Sequence, residues 1–322
     1  MNLHNSKNDF NKLIKETSDY LGIRDLFVEK DYWITLVLYR LAESKYNDSV
    51  VFKGGTSLSK GYKLINRFSE DVDIAVIDSS QYTGNQLKTL IRNIEKTISK
   101  DLTEIKIPGT TSKGSQFRKS VYNYPETNIK KLSPEVSNTL LIEINSFANP
   151  YPNTIMEIKP MIYEFLEYSK RDDLTEKFRL NPFKLRLLDK RQTMIEKIIS
   201  LIRFSFSEDP KSGISEKIRH FYDIYYLLND PDCNNYFASD DSLADLTELI
   251  KHDRKGFDEP SGWAKKPIRQ SPILQNFDAF WEKIKTYYTR QLPLLSYYEI
   301  PDEKEISKSF KKVIDKLVMI DL

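Results

Sequence analysis

Apolar positions along the chain follow two different periods. Over the first 48 residues they recur every three to four positions: Phe10, Leu13, Ile14 and Thr17 form one stripe and Trp33, Leu36, Val37 and Leu41 another, which predicts helices. Asn47-Asp48-Ser49 breaks that rhythm, and Val50-Val51-Phe52-Lys53 reads as a short strand stopping at Gly54-Gly55. Thr56 is placed to cap a short amphipathic helix through Leu58, Tyr62 and Ile65. After the polar turn Asn66-Arg67, the apolar run from Asp71 to Ile77 predicts a buried strand. Helical spacing returns from Gln86 to Lys100 through Leu87, Leu90, Ile91, Ile94 and Ile98. A polar loop then leads into a strand over Phe117–Tyr122, and another is predicted from Asn138 to Phe147. In the latter, Leu140, Ile142 and Ile144 face one way and Leu141, Glu143 and Asn145 the other. Pro150, Pro152 and Pro160 punctuate a boundary region, and from Asp189 the pattern is helical throughout. Its stripes are Met194, Ile198, Leu201 and Ile202, then Ile214, Ile218, Phe221, Tyr225 and Leu228, with two further helices within 276–322. The expectation is an α+β amino-terminal half and an all-helical carboxy-terminal half.

Composition narrows the classes. A chain of 322 residues with 39% hydrophobic and 30% charged positions is globular and long enough for about two domains. Lys and Arg number 49 against 47 Asp and Glu, which excludes a globally basic nucleic-acid coat but leaves room for a local basic face. Cys233 is the sole cysteine, so neither an internal disulfide nor a Cys/His zinc cluster can form. His4, His220 and His252 lie far apart in sequence, which argues against catalysis dominated by histidine. His4 and His252 read as surface residues. The polar start has no export signal, and the apolar run Tyr32–Tyr39 is too short to span a bilayer, so a cytoplasmic protein with no membrane partner is expected.

One passage carries chemistry: Phe52-Lys53-Gly54-Gly55-Thr56-Ser57-Leu58-Ser59-Lys60, followed by Arg67-Phe68-Ser69-Glu70-Asp71-Val72-Asp73. A strand entering two glycines and a helix start lets backbone N–H groups approach an anion. Thr56 and Ser57 would add hydroxyl donors and Lys60 a cation, so Gly54, Gly55, Thr56, Ser57, Lys60 and Arg67 are the candidate seat of a triphosphate. Strand alternation turns Asp71 and Asp73 to one face, roughly 6.5–7 Å apart along the strand. Such a pair suits divalent cations that also hold substrate phosphates. Glu143, on the polar face of a later strand, is the candidate third ligand, although by alternation alone it reads slightly more readily as an ordinary outward-facing residue.

This passage resembles the nucleotidyltransferase core of the DNA polymerase beta superfamily and is more closely similar to the AbiEii/AbiGii toxin family of nucleotidyltransferases. Glu29-Lys30-Asp31-Tyr32-Trp33 resembles the family's upstream helix, Glu196-Lys197 with Arg203 its third motif, and Arg219-His220-Phe221-Tyr222-Asp223-Ile224-Tyr225 its fourth. The resemblance covers about residues 28–228. It implies a polymerase-beta-like core with a mixed sheet over 1–165 and a mainly helical domain over 166–322 contributing motifs to the cleft. It implies an NTP-consuming enzyme that uses Mg²⁺, with two ions expected on Asp71 and Asp73 and with Glu143 in the third-carboxylate place. Lys197 would contact nucleotide phosphate, and Asp223 would be an essential acid. Implied partners are an NTP, an acceptor hydroxyl on RNA, tRNA in particular, and a cognate antitoxin in a toxin–antitoxin or phage-defence pair. The alternatives are nucleotidylylation of a protein hydroxyl, or a core that binds nucleotide or RNA without turnover.

Read by themselves, the late motifs are also consistent with exposed intrahelical ion pairs, Arg219 and Asp223 being four residues apart. Residues 177–203 hold eight basic residues (Lys177, Arg179, Lys184, Arg186, Lys190, Arg191, Lys197, Arg203) against Asp189 and Glu196, and residues 100–131 hold seven against three acids. With Tyr122, Tyr124, Phe178 and Phe183 nearby, these stretches are either an RNA-tracking surface or ordinary mixed-charge exterior.

Overall fold

The computed structural model describes residues 1–69, 71–125 and 139–321. Glu70 of the motif, residues 126–131 of the second basic stretch and Asn138 of the predicted strand lie outside the described residues. The chain forms two compact units, one of residues 1–63 and 68–188, the other of 64–67 and 189–322. The division therefore falls at Leu188, and a four-residue excursion, Leu64–Arg67, is part of the second unit.

The first unit is a mixed sheet with helices. In chain order its elements are α1 (Lys7–Leu21), α2 (Asp25–Ala42), β1 (Val50–Lys53), α3 (Gly54–Lys60), β2 (Asp71–Val76), α4 (Gly84–Ile98), β3 (Thr103–Ile105), β4 (Ser112–Lys113), β5 (Phe117–Asn123), β6 (Thr139–Asn145), β7 (Asn153–Ile158), α5 (Met161–Tyr168), α6 (Asp172–Phe178) and β8 (Phe183–Leu188). Among the described residues the strands run in the order β3-β5-β6-β2-β1-β8-β7, with β4 paired to β5. β2 lies parallel to β6 and antiparallel to β1, and β5 is antiparallel to β6. Burial alternates along β2, β5 and β6. On one face Val72, Ile74, Ile142 and Ile144 are fully buried, and α4 packs there. α4 places Glu95 to accept from Arg118 Nε at 2.7 Å. The other face carries the polar positions Asp71, Asp73, Lys119 and Glu143, all half-buried.

Helix α2 is buried almost along its whole length, charges included. Asp31 pairs with Lys60 of α3 and accepts from the backbone N–H of Met161, at the start of α5, at 2.8 Å. Lys30 is fully buried, its ammonium 5.0 Å above the Phe68 ring. A carboxylate with two donors at this depth is satisfied, and it ties α2 to α3 and α5. His4 is not a free surface residue, because its Nδ1 lies 2.7 Å from the Tyr32 hydroxyl.

The second unit is helical: α7 (Lys190–Phe204), α8 (Pro210–Ser215), α9 (Arg219–Asn229), α10 (Pro231–Ala238), α11 (Asp240–Gly256), α12 (Pro272–Gln275), α13 (Phe277–Leu295) and α14 (Glu303–Leu317). Its core gathers Phe221 of α9, Phe277 and Trp281 of α13 and Phe310 of α14 in edge and tilted ring contacts. No helix among the described residues is long and apolar enough to cross a membrane.

One sequence expectation needs correction. The helix predicted through Leu58, Tyr62 and Ile65 stops at Lys60. Gly61 there fits tightly, since a Cβ on it would lie 2.1 Å from Leu187 Cδ2, and Tyr62 donates to the Leu188 carbonyl at 2.9 Å instead of continuing a helical face. For the basic stretch 177–203 the ion pairs favour the mixed-charge alternative. The stretch is divided between the two units, and six of its eight cations pair with carboxylates: Lys177 with Asp9, Arg186 with Asp48, Lys190 with Asp230, Arg191 with Asp189, Lys197 with Asp223 and Arg203 with Asp253. Tyr122, Tyr124, Phe178 and Phe183 are buried, so they serve the core rather than stack bases.

Candidate active site

Strand pairing builds the first part of the site. Asp73 on β2 lies in register with Glu143 on β6 and with Lys53 on β1, and Glu143 in turn with Lys119 on β5. Residues paired directly across strands share a face. One row therefore reads Lys119, Glu143, Asp73, Lys53 across four strands, with Asp71 two residues along β2 on the same side. Glu143 thus stands beside Asp73 on the neighbouring strand.

The diglycine corner closes on the same place. Gly54 has φ of +79°, and a Cβ built on it would lie 2.0 Å from Asp73 Oδ2. Only glycine meets both demands, a left-handed backbone and a carboxylate pressed against it. Thr56 Oγ1 donates to the Asp71 carbonyl, tying α3 to the start of β2. Ser57 Oγ donates to the Gly54 carbonyl at 2.8 Å. Both hydroxyls thus shape the corner. Lys60, expected in the triphosphate seat, is taken up by Asp31 with its side chain 7% exposed, so it braces the scaffold instead. Gly54→Ala is expected to displace the Asp73 carboxylate and lower nucleotide transfer on the order of a hundredfold, while thermal unfolding registers a loss of about 1–2 kcal/mol.

The donor set fits a hard divalent cation. Two aspartates and a glutamate on one sheet face could supply oxygen ligands, with the glycine corner pressed close against the Asp73 carboxylate. Among the described residues no three such side chains are drawn close enough to grip an ion as they stand. Glu143 Oε1 instead lies 2.6 Å from Lys119 Nζ.

The second unit holds a charge cluster of its own. Asp223 on α9 is fully buried and accepts from Arg67 Nε at 2.7 Å and from Arg67 Nη2 at 2.6 Å, a bidentate fork. Lys197 Nζ of α7 lies 2.8 Å from the same carboxylate. Burial alone would raise the Asp223 pKa, but the charges of Arg67 and then Lys197, with their hydrogen bonds, hold it well below the usual carboxylate range. Arg67 is fixed further by its own segment. The Asn66 carbonyl accepts from Tyr297 N–H at 2.8 Å and from Ser296 Oγ at 3.0 Å. The exposed Arg219–Asp223 pair that sequence spacing allows is replaced by this buried cluster. The end of the glycine-aspartate motif, the third motif and the fourth meet on one carboxylate, and Arg67 belongs with Asp223. His220, one turn before Asp223, encloses its Nδ1 without a partner, and burial followed by the Lys197 charge depresses its pKa.

The family described as nucleotidyl transferase AbiEii toxin, type IV toxin–antitoxin system, matches residues 36–315. The chain belongs to the AbiEii nucleotidyltransferase toxin family. It is therefore a nucleotidyltransferase that uses an NTP, and its family pairs such toxins with an antitoxin. The AbiEii match reaches well into the region from 230 onward, where the sequence offered no motif. The MenT4 nucleotidyltransferase toxin of Mycobacterium tuberculosis has a similar fold, with 13% identity and a TM-score of 0.51 over 96% of this chain and 99% of that one. An antigenic nucleotidyltransferase-like protein of Paracoccidioides brasiliensis aligns at 13% identity with a TM-score of 0.31, over 70% of this chain and 91% of that one. No curated protein matches. The α+β fold expected from the AbiEii resemblance, with its mixed sheet, is the fold observed.

Proposed function

We propose that this toxin transfers a nucleoside monophosphate from an NTP to a hydroxyl of RNA, with tRNA as the acceptor, in a Mg²⁺-dependent reaction that releases pyrophosphate. The observation that carries this reading is Asp73 in register with Glu143 beside Gly54, with Asp71 on the same sheet face. Mg²⁺ on these three carboxylates would neutralise charge developing on the phosphates and lower the pKa of a bound hydroxyl. The chain's own part is positioning. Gly54 lets the corner close against the Asp73 carboxylate, Thr56 fixes α3 against β2, and Asp73 or Glu143 accepts the proton of the attacking hydroxyl. In the second unit Asp223 orients Arg67 and Lys197. An antitoxin encoded beside it would restrain the toxin in the cytoplasm, and a role in phage defence follows from that pairing.

Incubating the purified protein with each α-labelled NTP, Mg²⁺, total RNA and total protein tests the acceptor. Label is expected in the tRNA band for at least one NTP and is lost on removal of divalent cations by chelation. Label confined to protein would replace the RNA reading with protein nucleotidylylation.

A further inference from the structure

The row of charges on the sheet face contains a residue that neither the motifs nor the family description uses. Lys119 lies in register with Glu143, which lies in register with Asp73. Its ammonium is 2.6 Å from Glu143 Oε1, the two side chains being 29% and 23% exposed. Asp73 is next in the same row, and Asp71 lies two residues along β2 on the same side. One ammonium is thus within electrostatic reach of all three carboxylates, and it occupies the one that completes the set.

We propose that Lys119 is a resident counter-ion of the carboxylate face, holding Glu143 while no divalent cation is bound and releasing it when one binds. The inference rests on the reading of Asp71, Asp73 and Glu143 as cation ligands. Carboxylates gathered on one face repel one another, and positive charges beside them relieve this, Lys53 in register with Asp73 and Lys119 with Glu143. A divalent cation on the aspartates repels the ammonium and competes for Glu143, so the two occupancies exclude each other. Loading of the free protein is thereby weakened. An NTP, bringing its own anionic oxygens, offsets the ammonium and restores affinity, so cation and nucleotide load together.

Mn²⁺ titration of the full chain without nucleotide, read by the signal of free Mn²⁺ in electron paramagnetic resonance, tests this. Lys119→Met is expected to bind Mn²⁺ about tenfold more tightly than the wild type, the scale on which residues behind metal ligands act. Lys119→Arg, which keeps the charge, should stay within about twofold, and Asp73→Asn should lose the site. Unchanged or weaker binding by Lys119→Met, with Asp73→Asn still defective, overturns the role of Lys119 and leaves the cation reading standing. Equal binding by all four proteins overturns both. A second measurement needs no variant. In the wild type, acetylation of Lys119 by acetic anhydride, followed by mass spectrometry, should rise several-fold at saturating Mn²⁺, with Lys113 as the internal reference. An unchanged Lys119 signal overturns the proposal.

Discussion

Asp73→Ala is expected to abolish nucleotide transfer, by on the order of 10³-fold or more, because the strand would then offer one carboxylate where two are proposed to neutralise a developing phosphate charge. Its fold survives. Asp73 shares a half-buried face with Asp71 and Glu143, and removing one of several like charges costs the unliganded protein little. Unfolding midpoints should therefore lie within about 0.5 kcal/mol of the wild type. Labelled-NTP turnover and a urea melt on the same preparation separate the two effects. Full turnover by the variant would remove Asp73 from the chemistry.

Asp223→Ala behaves in the opposite way, failing first in stability. Arg67 and Lys197 are buried against this one carboxylate, and deleting it leaves both cations desolvated without it, at a cost of about 3–5 kcal/mol. Trp263 and Trp281 lie in the second unit and report its unfolding by fluorescence in a Trp33→Phe background. Acid should mimic the substitution in part. The folded pKa of Asp223 is depressed from 3.8, so its stabilisation is complete above that value and is lost as the pH falls through and below it. His220 adds an earlier limb. Its folded pKa lies well below 6.5, so beneath about pH 6.5 the unfolded chain takes up a proton that the folded unit refuses, and stability declines. His220→Gln should flatten the limb between the two values and leave the lower one in place. A flat wild-type profile from pH 7 to 4 would contradict the His220 assignment, and a profile that stays flat on further acidification below pH 3.8 would contradict the Asp223 assignment.

Local chemistry made the centre of the fold legible. The glycine pair marked the corner between a strand and a helix, the alternation in β2 set two aspartates on one side, and the helical stripes of α7 and α9 followed from spacing alone. β8 was there to be found as well, since Phe183, Leu185 and Leu187 alternate with Lys184 and Arg186. Its charges drew attention to a surface when its period pointed to a strand. Other features depend on register between distant segments, which no local pattern contains. Lys119 meets Glu143 only because β5 and β6 pair as they do, and Lys60 meets Asp31 only because α2 lies buried beside α3. The same limit applies to Arg67, whose neighbours in sequence suggest a phosphate and whose partner is 156 residues away.

That last pairing has a bearing on how such proteins can be recombined. Because Leu64–Arg67 is housed among the helices that begin at Asp189, no single cut yields two whole modules. A truncation at Leu188 strands an arginine deprived of its acid. A chimera that borrows the helical half from a distant relative must bring along an aspartate at the place of Asp223, or Arg67 has to be exchanged with it.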